Sequence, residues 1–241
     1  MPTTVAGSGA AETRPRDLER SAAIRASLAV GLAVSAYGIS FGALATASGL
    51  DVWQSCVLSL FMFSGGSQFA VIGVLATGGV AAGPAAIAGA SLLGVRNALY
   101  AMRMGPIVGG PWWRRVLAAH WTIDETTAVS TGQRTLRGQR IGFWVTGAVI
   151  FTGWNLMTLL GALLGNLIAD VRMFGLDAAA AAAFLGLLWP RLTARQPVAV
   201  AAGAAIVAAV LIPWLPAGLP VLLAALVAVV VGVTNWLGRR S

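Results

Sequence analysis

Three short stretches of this chain set polar or charged side chains among apolar ones, and these are where chemistry could occur. The first is Phe63-Ser64-Gly65-Gly66-Ser67-Gln68-Phe69. A Gly-Gly pair costs a helix about 2 kcal/mol relative to Ala-Ala, so local unwinding is expected here. Unwound backbone exposes N–H and C=O groups that can hold the ends of an amino acid, and Gln68 can both donate and accept. The glycines alone would suit close helix packing; with Gln68 in the same run, a binding site is the stronger reading. The second stretch is Arg96-Asn97-Ala98-Leu99-Tyr100. Arg96 follows a long charge-free run, which places it near a span end, where it could snorkel to the interface. Facing the interior, it would need a counter-charge and could hold a carboxylate. The third is His120-Trp121-Thr122-Ile123-Asp124-Glu125-Thr126. A carboxylate at membrane depth is a candidate proton carrier, because burial disfavours its charged form. The competing reading is a helix start, with Thr122 as N-cap and Glu125 at the capping-box position.

Enzyme chemistry finds no support in the residues. The single histidine, His120, excludes a multi-histidine metal site, and the single cysteine, Cys56, excludes an intramolecular disulfide. Asp124 and Glu125 are adjacent, so on a helix they point about 100° apart, a poor geometry for a carboxylate pair. No nucleophile–base set and no cofactor motif is present.

The elements that must position these stretches belong in lipid. Of 241 residues, 58% are hydrophobic and only 10% charged, against about a quarter charged in soluble domains. The 16 basic residues are all arginine and give a net charge of +8. They flank apolar blocks, as topology charges do; nucleic-acid binding is excluded on that placement. The expected fold is all-α, a transmembrane bundle of about seven or eight spans in which every crossing is helical. Residues 1–25 read as a mobile cytoplasmic tail and 26–241 as a single transmembrane domain. Charge-free blocks cover 26–50, 52–95, 141–169, 178–190 and 196–238. Two of them, 52–95 and 196–238, have the length of two spans each. Whether 116–133 crosses or is re-entrant is left open. Arg14, Arg16, Arg20 and Arg25, the 134–140 loop, Arg191 and Arg195, and Arg239 and Arg240 all favour the cytoplasm. An eight-span count then leaves Arg103, Arg114 and Arg115 outside, against the rule. Trp53, Trp112, Trp113, Trp189, Trp214 and Trp236 lie near expected span ends as interfacial anchors. Gly42-Ala43-Leu44 with Gly49-Leu50-Asp51 is echoed by Gly161-Ala162-Leu163 with Gly175-Leu176-Asp177, a short hint of an internal repeat.

Several motifs together resemble the AzlC family, large subunits of two-component branched-chain amino-acid exporters. Tyr37-Gly38-Ile39-Ser40-Phe41-Gly42 and Gly49-Leu50 open the resemblance. Phe63 to Phe69 is similar to the family's F-x-G-A-S-Q-F, Arg96 to Tyr100 to its N-x-R-x-x-L-Y, and Ile123 to Thr126 to its T-D-E-x. Leu187-Leu188-Trp189-Pro190 and two terminal spans complete it. Gly94 stands where the family has Asn, and Gly66 where it has Ala. The resemblance implies efflux of leucine, isoleucine, valine and sometimes methionine from a bacterial inner membrane, driven by the proton gradient. It also implies a small AzlD-type membrane partner and no cofactor. The substrate-binding candidates are Ser64, Gly65, Gly66, Ser67, Gln68, Arg96, Asn97 and Tyr100; the proton-coupling candidates are Asp124 and Glu125. A passive channel or a non-transporting membrane scaffold is the alternative, and uphill transport separates them.

Overall fold

A computed structural model describes residues 8–167, 185–186, 188–189 and 192–234, with side chains from Asp17 onward. The 178–190 block as a whole, the Gly175-Leu176-Asp177 echo, Arg191, Trp236, Arg239 and Arg240 lie outside the described residues or only partly within them. The chain is an all-α bundle, with no strand among the described residues. Its helices are α1 (Ser8–Ala47), α2 (Val52–Phe61), α3 (Gly65–Gly78), α4 (Gly83–Val108), α5 (Trp112–Trp121), α6 (Asp124–Thr131), α7 (Leu136–Leu167), α8 (Arg195–Leu211) and α9 (Leu219–Thr234). Within these, Asp17–Ala47, Val80–Val108 and Leu136–Leu167 are long and apolar enough to cross a membrane; α8 and α9 are shorter apolar helices. Because α1 already begins at Ser8, much of the stretch expected to be a tail is helical.

The described residues divide into two compact units, one within 1–39 and 95–157, the other within 40–94 and 158–241. In the first unit, α1 and α7 pack side by side in parallel. Ser27 lies against Gly142, Gly31 against Val149 and Ser35 against Gly153, the numbers rising together. The end of α4 lies beside the start of α7, because Arg140 Nε donates to Ile107 O at 2.7 Å. A segment that leaves α4 and enters α7 must therefore return to the end it left. Residues 112–131 do so as a hairpin of α5 and α6. Its tip reaches Gly147 and Phe151 through Trp121, and its far arm comes back to Gln139 through Ser130 Oγ, at 2.9 Å. From Gln139 to Phe151 is about 18 Å of helix, roughly half of a 30 Å hydrocarbon core. Of the two possibilities the sequence leaves for 116–133, the structure has the re-entrant one.

The second unit holds a hairpin of the same plan. Its first arm, α2, is 10 residues long, as α5 is. Asp51 caps α2, accepting from Gln54 N at 2.7 Å while Gln54 Oε1 accepts from Asp51 N. Gly42 of α1 sits so close to α7 that a Cβ there would collide with Thr158 O. Ser59 Oγ donates to Thr158 Oγ1 at 3.3 Å. Were 52–78 straight, Phe69 would lie about 15 Å beyond Ser59. Instead Phe69 meets Phe41, next to Gly42, edge to face at 5.8 Å. The chain has turned back at 62–64, so 52–78 is a hairpin rather than the first of two crossings. In the same unit α8 and α9 pair antiparallel, Gln196 with Val231 and Gly203 with Val227. Gly218, at φ +88°, turns the chain into α9 against Val74 and Ala85.

The first hairpin removes the charge conflict. In the first unit Thr135 Oγ1 donates to Glu19 Oε1, so the start of α1 joins the end of α4 and the start of α7. Arg20, Arg25, Arg103, Arg114, Arg115, Arg134, Arg137 and Arg140 then belong to one end of that unit. Trp112 and Trp113, both exposed, stand at the mouth of the 112–131 hairpin, where interfacial anchors belong. In a Cys56→Ser background, single cysteines at Trp112 and Leu136 should react with a membrane-impermeant maleimide from the same side of the membrane. Labelling from opposite sides would mean that 112–131 crosses.

Candidate functional site

Arg96 sits in the middle of α4, about 18–20 Å of helix from either end, not at a span end as its place after an apolar run suggests. Snorkelling cannot cover that distance, so the charge must be met inside the protein. The 112–131 hairpin does this. Asp124 is the first residue of α6, at the hairpin tip, and its Oδ2 lies 3.1 Å from Arg96 Nη1. The two side chains keep 32% and 20% of their exposure, so the pair is embedded but not sealed. Glu125 follows in the same first turn, half-buried. Asn97 and Tyr100, also half-buried, lie beside Arg96 and one turn beyond it on α4.

The tip is held by threonines and aromatic rings. Thr122 does not cap α6: its hydroxyl donates to Ala118 O at 2.7 Å and closes the end of α5. The bond expected of Glu125 comes from Thr126, whose Oγ1 accepts from Ile123 N at 3.0 Å and donates to Trp121 O at 2.8 Å. Trp121 packs on Trp144 and Phe151, and His120 on Phe151. Gly147 is the seat for Trp121: a Cβ there would stand 2.7 Å from the indole. Around this tip several buried polar atoms have no hydrogen-bond partner, among them Arg96 Nε, Asn97 Oδ1, Thr127 Oγ1 and Thr146 Oγ1. Buried polar groups are satisfied in the great majority of cases, so these atoms have hydrogen-bonding capacity to spare. Thr127, directly after the Ile123 to Thr126 motif, and Thr146, a hydroxyl within the apolar α7, escape sequence reasoning.

In the second unit the break falls at Phe63-Ser64, before the glycines. Gly65 and Gly66 form the first turn of α3 rather than an unwound strand. Gln68 is fully buried, and its Nε2 donates to Met62 O at 2.6 Å and toward Ser59 O at 3.4 Å. It thus binds Ser59 O near the end of α2 and shares Met62 O with Ser64 N, which donates to the same oxygen at 2.7 Å. Ser64 Oγ donates to Ser67 Oγ at 3.3 Å, and Ser67 Oγ to Ala90 O of α4 at 3.0 Å. Gly94, where the family has Asn, faces Ser67, with 3.8 Å from a Cβ to its hydroxyl. On a helix Gly94 and Arg96 point about 200° apart, so the two positions do not act as a polar pair on one ligand. Ser64, Ser67 and Gln68 are brought together, and Arg96 with Asp124, each set within its own unit.

Gln68 therefore carries a donor's job in the fold. Gln68→Ala should lower stability by about 1–3 kcal/mol, the cost of removing a buried amide that donates to the carbonyls of the break. Gln68→Glu, which keeps an acceptor and loses the donor, should fall as far in a thermal denaturation series. A Glu variant as stable as wild type would show that the donor bonds are not what holds the break.

Known proteins were compared with this geometry in hand. A family model described as AzlC protein matches residues 29–168, the stretch that holds the second half of α1, both hairpins, α4 and α7. No curated protein and no solved structure matches the chain. The match covers more than half of the 241 residues and takes in the Arg96–Asp124 pair and the Ser64–Gln68 break alike; the chain belongs to the AzlC family, which is associated with branched-chain amino-acid transport.

Proposed function

We propose that this chain is a secondary transporter that exports leucine, isoleucine, valine and methionine across the bacterial inner membrane. Export is driven by the proton gradient and requires a small AzlD-type membrane subunit. The observation that carries the reading is the Arg96–Asp124 pair at the midpoint of α4. A charged pair at membrane depth is costly to build and marks substrate or proton pathways rather than packing. Arg96, with Asn97 and Tyr100 beside it, is assigned to substrate; Asp124 or Glu125 is assigned to the coupling proton. Ser64, Gly65, Gly66, Ser67 and Gln68 serve the same transporter by keeping the break before α3 in one geometry. The arginine-rich end of the first unit is assigned to the cytoplasm, with the amino terminus. Apolar side chains are distinguished by only about 0.8 kcal/mol per methylene, so several branched substrates share one site.

The test is efflux from cells loaded with a leucine-containing dipeptide and expressing the chain, the small subunit, or both. Leucine should leave against its gradient only with both, and an uncoupler should stop it. Asp124→Asn should cut the rate by about tenfold or more at unchanged membrane abundance. Full efflux by that variant, or efflux indifferent to the uncoupler, would overturn the coupling assignment and favour a passive channel.

A further inference from the structure

We infer that the Arg96–Asp124 pair is the seat for the head group of a zwitterionic amino acid, whose carboxylate takes Arg96 and whose ammonium takes Asp124. The inference rests on the export reading and adds the chemistry of recognition to it. The contact in the structure runs from Arg96 Nη1 to Asp124 Oδ2. A guanidinium carries five N–H donors, and Arg96 Nε is buried with no partner. Thr127, one turn from Asp124 on α6, has an unpartnered hydroxyl that can donate to a carboxylate. Asn97, next to Arg96 on α4, has an unpartnered carbonyl oxygen that can accept from an ammonium. The surroundings thus hold spare donors and a spare acceptor, as both ends of an amino acid require. The partial exposure of both side chains leaves the pair reachable.

Charge balance makes the seat selective. A zwitterion that parts Arg96 from Asp124 leaves each of them paired again and adds no net charge. A carboxylate without an ammonium would take Arg96 and cost Asp124 this ion pair, with nothing brought in exchange. An amine without a carboxylate would do the same to Arg96. Breaking one side of an embedded ion pair is the costly event, so a ligand must bring both charges. With no ligand the two residues neutralise each other, and the empty site stays compatible with the middle of a bilayer.

Titration calorimetry on the purified full chain, with and without the small subunit, would test this using leucine, isocaproate and isoamylamine. Wild type should bind leucine at least about tenfold more tightly than either single-ended analogue. Asp124→Asn should weaken leucine by about tenfold while isocaproate binds as well as before or better, because Arg96 is released. Arg96→Gln should do the converse and favour isoamylamine. The double variant Arg96→Gln with Asp124→Asn removes both charges together, and should lose leucine while keeping its size-exclusion profile. Isocaproate matching leucine on wild type, all three ligands weakened alike by each single variant, or no amino acid bound in either preparation would overturn the proposal. Amino acids without a branched side chain binding as well as leucine would support the seat and overturn the branched-chain reading. Leucine export by cells with affinity unchanged in every variant would overturn the seat and leave the export reading standing.

Discussion

An arginine at the midpoint of a helix long enough to cross a bilayer must be met by a counter-charge at the same depth. Most of the first unit follows from that need. A carboxylate cannot be carried to mid-depth on a surface loop; it must ride on an element that reaches that depth and faces the protein interior. A hairpin that enters and leaves at one end turns at half depth, and its tip is where Asp124 lies. The rings of Trp121, Trp144 and Phe151 pack around that tip, and Gly147 gives up a side chain so that Trp121 can seat.

A turn at membrane depth carries its own cost, because backbone groups there have no water to bind. The two hairpins meet it with different side chains. At 122–123 the hydroxyls of Thr122 and Thr126 take Ala118 O and Trp121 O, and Thr126 also satisfies Ile123 N. At 62–64 the amide of Gln68 does the work from α3. The polar residues that look like a ligand site in the sequence are therefore partly the means by which each break is made tolerable. This is why Gln68→Ala cannot by itself identify a substrate contact, whereas removal of one charge from the Arg96–Asp124 pair acts on an ion pair rather than on the carbonyls of a break.

The helical class, the lipid setting and the polar stretches were legible in the residues, because apolar length and charge content are properties of composition. The pairing of Arg96 with Asp124 was not. Both were singled out, but hydropathy placed Arg96 at a span end, since the charge-free run before it stops there. Nothing local reveals that α4 continues through Asn97 and Tyr100 to Val108. The Thr122–Glu125 capping spacing likewise matched a pattern whose bond is made one residue further on, by Thr126. The Gly42-Ala43-Leu44 and Gly161-Ala162-Leu163 echo has a packing origin in the described residues: Gly42 seats on Thr158 and Ala162, and Gly165 on Ala43 and Thr46. Close approach of two helices favours the same small residues on both.

The one sequence signal for the hairpins was the misfit of Arg103, Arg114 and Arg115. Hydropathy cannot tell a crossing from a hairpin when both are apolar runs of about 20 residues or more. Topology can, because crossings reverse direction. In the first unit α1 and α7 run parallel, so an odd number of crossings separates them. With 112–131 folded back by the bond from Arg140 to Ile107, that segment adds no crossing to the count. In the second unit, the contact between Phe41 and Phe69 excludes a straight 52–78. Two apolar segments that looked like a miscount of spans are thus hairpins, one in each unit.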